Sequence, residues 1–490
     1  MKKLLALLVV TASLLCLLAA CVEPDTGKEQ GSLSEESTEA ACLDAVPDDL
    51  NYGGEEVVIL SRALQGWTQD EVSVPELNSE PVNDAIYNRN LTVEDRLGVK
   101  IKSIADTDPD QTLVVIEARD AVLAGSDEYD LVAAACYLML YTTLESIWRD
   151  LTDLEYLDLS KDYWTQDYND VISYGGKQHT ATGSIALSTY RFAFVTMFNK
   201  KSFDDRSLPY LYETVNNGEW TLDYQATLAE EFYRDLNGDG KQDEDDFYGL
   251  LTASYISVDP YWASCDIPLV EKNADGEYEY VLDVGKLSDA TDKILRLLYE
   301  SGSYIFPSTP TDSEQDDIRI AFANGHGAMA TTRLVAVEQA DVRNMTDPYG
   351  IVPMPKYDTV QADYGTLMHD QFTVFCIPAS ASAAKLELIG ATMEVMASES
   401  LRLVKPAYYE IALKRKYMSD PVAWDMLDLT FARVIVDAGV VYGEAMSYPH
   451  HKLRTIIQGK KNSVASQYGK AESKMNIQLQ KLIKKLERLE

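Results

Sequence analysis

The chain has 490 residues, 46% of them hydrophobic, and sets 79 Asp and Glu against 43 Lys and Arg, a formal net charge of −36 at pH 7. That balance repels phosphate backbones, so it argues against nucleic acid as a partner and against a broad anionic lipid surface. The apolar fraction suffices for two or more domains with cores of their own. Of the six cysteines, Cys42, Cys136, Cys265 and Cys376 lie scattered without C-x-x-C spacing, which suggests neither a zinc cluster nor a disulfide framework. They read as buried or incidental free thiols.

The chain begins MKKLLALLVVTASLLCLLAAC, with Lys2 and Lys3 before an apolar run that stops at small residues. Residues 1–20 read as a secretory signal peptide, too short and wrongly flanked for a membrane span. Leu18-Ala19-Ala20-Cys21 resembles the lipobox of bacterial lipoproteins. The resemblance implies that Cys21 is acylated and anchors the chain on the extracellular or periplasmic side of the cell membrane. An ordinary signal peptide with a chance cysteine is the alternative. Residues 21–51 are acidic, poor in large apolar side chains, and have Lys28 as their only base. They bury too little apolar surface to offset ordering and read as a flexible tether.

From Glu55 onward strand and helix signals alternate. EEVVIL is a β-branched strand, and PVNDAIYNRNLTVEDRLGV repeats apolar residues at helical spacing before the strand VKIKSI. DQTLVVIEARDAVLAG then predicts a helix and YDLVAAAC a buried strand. This order predicts an α/β lobe whose ligands lie beyond the carboxyl ends of the strands. A second series begins near Tyr190 with the strand FVTMF, then a helix capped by Thr221, then the strands DFYGLLTA, GAMATT and FTVFCIPA. KLELIGATMEVMAS and DPVAWDMLDLTFARVIVDA read as helices. The terminal KMNIQLQKLIKKLERLE places Leu479, Leu482, Leu486 and Leu489 on one face, predicting a helix packed on the body.

The segments GGKQHTATGSIALSTYRFAFVTMFNKKSFDD, GEWTLDYQATLAEEFYRDLNGDGKQDEDDFYGL, FANGHGAMATT and YGIVPMPKYD together resemble the extracellular solute-binding proteins of ATP-driven importers, in the family of maltose and oligosaccharide binders. The likeness runs from about Tyr52 to the C-terminus and is carried by order and spacing. It implies a type II periplasmic-binding-protein fold, with two α/β lobes joined by crossing strands and closing on a solute by hinge motion. The expected crossings lie near 188–194, 320–332 and 371–377. The expected lobes are 52–190 with 328–372, and 191–327 with 373–490. Membrane permease subunits are the implied partners, a carbohydrate the implied cargo, and a monomer the expected state.

Residues 235–246, DLNGDGKQDEDD, follow the ligand spacing of an EF-hand loop: Asp235, Asn237, Asp239, the carbonyl of Lys241, Asp243 and Asp246, with Gly240 at the sharp turn. Asp246 stands where an EF-hand has glutamate. A helix precedes the loop but a strand follows it, so the expectation is a structural calcium staple and not a switch. A solvated acidic turn is the alternative.

A sugar site combines aromatic faces with amides and carboxylates. Position selects Trp67 after the first strand, Tyr137 after YDLVAAAC, Tyr190 and Arg191 at the first crossing, and Trp262 in SVDPYWASCD. It also selects His369 and Asp370 before FTVFCIPA, and Tyr408 after Pro406 in a helix-opening segment of the second lobe. Arg191 and Asp370 form a hinge ion pair in one reading and touch ligand in the other. The five histidines form no H-E-x-x-H pattern, His450 and His451 read as a solvated pair, and neither a G-x-S-x-G elbow nor a P-loop occurs. The chain therefore reads as a binder and not an enzyme. A secreted glycosidase built on two carboxylates, and a solute receptor feeding a sensor kinase, are the other readings.

Overall fold

A computed structural model describes residues 44–489 apart from 244, 308–312 and 419. The signal, Cys21, Cys42 and residues 21–43 of the expected tether lie outside the described residues; 44–51 correct its end, since Asp44 pairs with Arg96 and Val46 is buried in the core. Among those described, no helix is long and apolar enough to cross a membrane, and Cys136, Cys265 and Cys376 are buried free thiols.

The first sheet takes β1 (Glu55–Arg62), β2 (Val99–Asp106) and β3 (Leu131–Ala135), separated in the chain by α1 (Pro81–Leu97) and α2 (Thr112–Leu123). α3 (Cys136–Thr143) follows β3 without a break. The three strands run parallel in the order β3-β1-β2, as the β-α-β-α-β order requires of crossover connections. Alternation sorts their side chains between two layers. Val57, Ile59, Leu131 and Ala133 share one core with Val93 and Leu97 of α1. Leu60, Val132 and Ala134 face Val114, Val115 and Ala118 of α2 in the other.

The chain then crosses through α4 (Ser188–Arg191) into β4 (Phe194–Asn199). α5 (Leu222–Phe232) begins where Thr221 Oγ1 accepts the Tyr224 N–H at 3.3 Å, the expected cap. β5 (Tyr248–Ala253), α6 (Pro260–Ser264), the hairpin β6 (Val270–Lys272) and β7 (Tyr278–Tyr280), α7 (Val284–Tyr299), β8 (Ser303–Phe306), α8 (Ser313–Ala323), β9 (Gly327–Arg333) and β10 (Tyr349–Pro353) follow. The second sheet has the order β10-β4-β9-β5-β8. β5 is parallel to β8 and β9, whereas β4 runs antiparallel to both of its neighbours.

The remaining elements are β11 (Thr366–Leu367), β12 (Thr373–Cys376), α9 (Leu386–Glu399), α10 (Pro421–Ala432), β13 (Val434–Ile435), α11 (His451–Gln458) and α12 (Glu472–Leu486). β12 closes the first sheet antiparallel to β3, and α9 packs with α1. The strand pairing thus corrects the expected lobe boundaries. β9 and β10 stay in the second sheet, so 328–353 is not part of the first lobe. β12 and α9 belong to the first, so the second lobe does not resume at 373. An apolar run such as GAMATT announces a strand, but not the sheet that strand joins. The expected crossing at 320–332 is accordingly internal to the second lobe. The crossings at 188–194 and 371–377 do lie where the chain changes sheets, and Ala193 bridges Met368 between them.

After α9 the helix continues through Pro406 with π-helical turns at Ser400–Val404 and Ala407–Tyr417, a geometry rare outside single bulges. It packs on α1, so Tyr408 lies within a helix against the first lobe and does not open one in the second. α12 turns Met475, Leu479, Leu482, Ile483 and Leu486 into the body.

Close packing of α5 on β5 depends on Gly249, where an added Cβ would lie 2.0 Å from the Ala229 carbonyl oxygen. Backbone on both sides leaves nothing to yield. Gly249→Ala is expected to cost about 2–3 kcal/mol of stability, read as a lowered denaturant midpoint at unchanged slope.

Candidate solute-binding cleft

The carboxyl ends of β1, β3, β5 and β9 face the junction between the two sheets, where Trp67, Tyr137, the 254–264 segment and Arg333 are found. Two polar centres occupy this junction, and they differ in how well they are satisfied.

The first is closed upon itself. Arg191, 5% exposed at its side chain, donates to both oxygens of Asp70 at 2.7 and 3.0 Å and to both of Glu338 at 3.1 and 3.0 Å. Its Nη1 also donates to the Trp67 carbonyl at 3.0 Å. Tyr408 OH donates to Glu338 Oε1 at 2.7 Å. Burial opposes the Arg191 charge, but Asp70 and Glu338 hold its pKa well above the ordinary value. Burial likewise opposes the Asp70 charge, yet Arg191 holds that carboxyl below the usual carboxylate range. Asp70 follows β1 and Glu338 follows β9, so one guanidinium fastens one lobe to the other. This corrects the expected pairing of Arg191 with Asp370. Tyr190 packs beside the clamp against Tyr408, Tyr409 and Phe431, with ring centroids 5.2–6.2 Å apart. Nearby, Glu71 accepts from Ser188 N and Oγ and from Thr373 Oγ1 at 2.5–2.7 Å, tying both crossings to the loop after β1.

The second centre lies around α6 and α11. Asp259, beside Pro260 at the start of α6, accepts from Arg454 Nε at 2.7 Å and from its Nη2. Although burial would raise it, Arg454 and His369 hold the Asp259 carboxyl well below the usual range. His369 has Nδ1 at 3.2 Å from Asp370 Oδ1 and Nε2 at 3.7 Å from Asp259 Oδ2. Burial raises the Asp370 pKa. Asp259, Trp262, Leu367, His369, Asp370, Val440 and His450 line a void with room for about one water. Trp262 Nε1, both His369 nitrogens and His450 Nδ1 are buried there without a well-formed hydrogen bond. Orphaned buried donors of this kind are uncommon and call for a partner.

His450 and His451 are not the solvated pair expected. His450 is 2% exposed, and burial lowers its pKa well below the ordinary value. Burial also brings His451 down to about 4. Tyr448 stacks on His451 with centroids 4.6 Å apart and 4° between planes. Ser447 and Tyr448 both take left-handed backbone, with φ of 62° and 49°, which is strained for residues other than glycine.

The predicted residues therefore divide. Trp262, His369 and Asp370 line the void, and Tyr137 adjoins it, its N–H donating to the Asp370 carbonyl at 3.1 Å. Tyr190, Arg191 and Tyr408 build the clamp. Trp67 lies between the centres, with the Arg333 guanidinium 5.3 Å from its ring centre. Sequence reasoning passed over Asp259, Glu314, Arg333, Tyr448 and Arg454. The Asp-Pro step at 259–260, a helix-start signal, was the one local mark of any of them. Beside the clamp the lobes touch again, Gln339 Nε2 donating to the Gly66 carbonyl at 3.1 Å, while Lys416 pairs with Glu80 within the first lobe.

The 235–246 loop leads into the amino end of β5, opposite the carboxyl end that faces the junction, and is closed at its base by the Arg234–Phe247 pair. Asp235 accepts from Gly238 N at 2.6 Å and Gly240 N at 2.8 Å, and Asn237 and Asp239 cap the following turns. Asp243 accepts from Asp245 N at 3.0 Å, and the Lys241 carbonyl takes Tyr233 OH at 3.3 Å. Asp246 turns inward to Leu236 N and Tyr233 OH at 3.1 and 2.8 Å. Among the described residues no group of three or more His, Cys, Asp or Glu is placed to hold a metal ion.

No protein-family model and no curated protein matches the chain. Solved structures do. The GacH receptor of Streptomyces glaucescens, determined free and with acarbose, is 14% identical, covers 86% of this chain and 98% of its own, and has a TM-score of 0.56. The maltose/maltodextrin-binding domain MalE of Bdellovibrio bacteriovorus, bound to maltotriose, is 15% identical over 88% of this chain and 100% of its own, with a TM-score of 0.52. An ABC substrate-binding protein of Listeria monocytogenes in complex with cycloalternan is 13% identical over 88% and 98%, with a TM-score of 0.51.

Glu314 of α8 abuts the second centre, accepting from Ile256 N at 2.7 Å and Ser257 N at 3.2 Å while its Oε2 is unpartnered. Burial pushes its pKa from 4.5 up to about 7. The folded state then keeps a proton that the unfolded chain releases first, so this contribution to stability is full below 4.5 and is lost as pH rises through 7. Across that window the wild type is expected to lose stability relative to Glu314→Gln; parallel pH curves in chemical denaturation would contradict this. With its sheets, crossings and neighbours in place, the chain has the two-lobed type II fold of the sugar-binding proteins of ATP-driven importers.

Proposed function

We propose that this chain is the solute-capturing subunit of an ATP-driven importer, that its cargo is a carbohydrate, and that Cys21 carries a lipid anchor facing outward from the cell membrane. The carrying observation is the group of buried polar nitrogens without a well-formed hydrogen bond, Trp262 Nε1, His369 Nδ1 and Nε2 and His450 Nδ1, around the void at the lobe junction. The proteins that share this fold were solved with acarbose, maltotriose and cycloalternan, and sugar hydroxyls both donate and accept in the way these groups require. Opening of the lobes presents Asp259, His369 and Asp370 to hydroxyls, with Trp67, Tyr137 and Tyr448 supplying flat faces for the C–H surfaces. Closure then excludes water and strengthens each polar contact. The closed body is the form that permease subunits receive, and ATP is hydrolysed on the membrane components.

Binding without turnover is favoured by the carboxylates themselves. A glycosidase needs one carboxyl to protonate the leaving oxygen and another to attack or activate water. Asp259 has both oxygens held by Arg454, which leaves it no proton to give and no free oxygen with which to attack or to activate water.

We further propose that the 235–246 loop takes calcium as a structural staple. The support is the spacing of Asp235, Asn237, Asp239, Lys241, Asp243 and Asp246 and the tight turns at Gly238 and Gly240, whose φ values are 75° and 74°.

Thermal unfolding of the body with mono- and oligosaccharides, in calcium and in chelator, tests both readings. One sugar class is expected to raise the melting temperature saturably and to be recovered intact, and calcium to raise it independently. Recovery of a hydrolysed product would replace the binder with an enzyme, and no shift with calcium would remove the staple.

A further inference from the structure

The last part of the chain reverses the charge of the rest. Residues 452–490 hold ten of the 43 Lys and Arg but only three of the 79 Asp and Glu, Glu472, Glu487 and Glu490. In α12 the buried face is Met475, Leu479, Leu482, Ile483 and Leu486. At about 100° per residue the opposite arc carries Lys474, Ile477, Lys481 and Lys484, followed by Lys485 and Arg488. All six are exposed, Ile477 at 55%. None of the five cations joins an ion pair among the described residues, and no acidic residue falls within the arc. From Lys474 to Lys485 the stripe runs about 16 Å along the helix.

We propose that this face of α12 docks the body on the anionic headgroups of membrane phospholipid and so fixes which side of the body faces the bilayer. The proposal rests on the reading of Cys21 as a lipid anchor. The 22 residues between Cys21 and Asp44 reach at most about 75 Å when extended. They keep the body within reach of the headgroups, where the electrostatic contact of the stripe orients it. Screening over about 8 Å at physiological salt makes that contact local. The stripe meets the headgroups while the remainder of the chain, with 33 Lys and Arg against 76 Asp and Glu, is repelled from the surface. Net charge therefore selects an orientation without forbidding contact. Ile477, apolar amid the cations, is placed to enter the headgroup layer.

The test is cosedimentation of the body from Asp44 onward, which contains both sheets and their cores, with phosphatidylcholine vesicles and with vesicles holding about 30% phosphatidylglycerol. Retention is expected on the anionic vesicles only and falls more than about tenfold between about 50 and 300 mM salt. It should be abolished in K474E/K481E/K485E, whose melting temperature and sugar response stay as in the wild type. Absence of retention, or equal retention of the variant, overturns the proposal and leaves the stripe to an acidic protein surface. Fatty-acid labelling of the full chain and of Cys21→Ser separates the anchor from the docking face. Label absent with retention present removes the anchor and keeps the face; label present without retention removes the face and keeps the anchor.

Discussion

Everything at the lobe junction is arranged around one buried guanidinium. Arg191 is bidentate to Asp70 on one side and to Glu338 on the other, and these acids follow strands of different sheets. A charge so placed stays buried because all of its partners are present, and removal of one partner from such a group costs about 3–5 kcal/mol. The arrangement makes this edge of the junction the fixed one. The Glu71, Ser188 and Thr373 hydrogen bonds add a second tie between the crossings, where the chain passes between sheets. Motion of one lobe on the other is then rotation about this edge, and the far side of the cleft is the one that gapes.

The far side has the opposite character. Around Asp259 and Arg454 the ion pair is satisfied, but the indole of Trp262 and the imidazoles of His369 and His450 are buried with polar nitrogens unmatched. An apolar lining would be more stable in isolation. Polar nitrogens left unmatched beside a gap, left-handed backbone at Ser447 and Tyr448, and the stacked Tyr448 and His451 rings together set this side apart from the clamp. The contrast between a satisfied hinge and an unsatisfied mouth is the physical basis for reading the protein as a receptor that closes upon its ligand.

Much of the scaffold was legible in the sequence. Runs such as EEVVIL and YDLVAAAC carry a short-range apolar signal, and Thr221 marks a helix start by local chemistry. The partners of Arg191 were not legible, because Asp70 and Glu338 lie 121 and 147 residues away and no local pattern distinguishes them from the other acids. The same holds for Arg454 and Asp259, 195 residues apart. His450 was misread as solvated because burial by α6 and the 367–370 segment is a tertiary fact. Lobe membership of β9, β10 and β12 failed for a related reason, since pairing partners are chosen across the whole chain and an apolar run looks the same in either sheet. Trp262, chosen because it follows a strand, and His369 and Asp370, chosen because they precede one at a crossing, line one void.

The central claim is that the touching lobes open to admit a solute and close upon it. Small-angle scattering of the body, before and after addition of a sugar that saturably stabilises it, measures this most directly. The account predicts a larger radius of gyration for the sugar-free body and contraction on binding, toward the value of the closed structure described here. A bound sugar that leaves the radius unchanged would contradict capture by hinge closure.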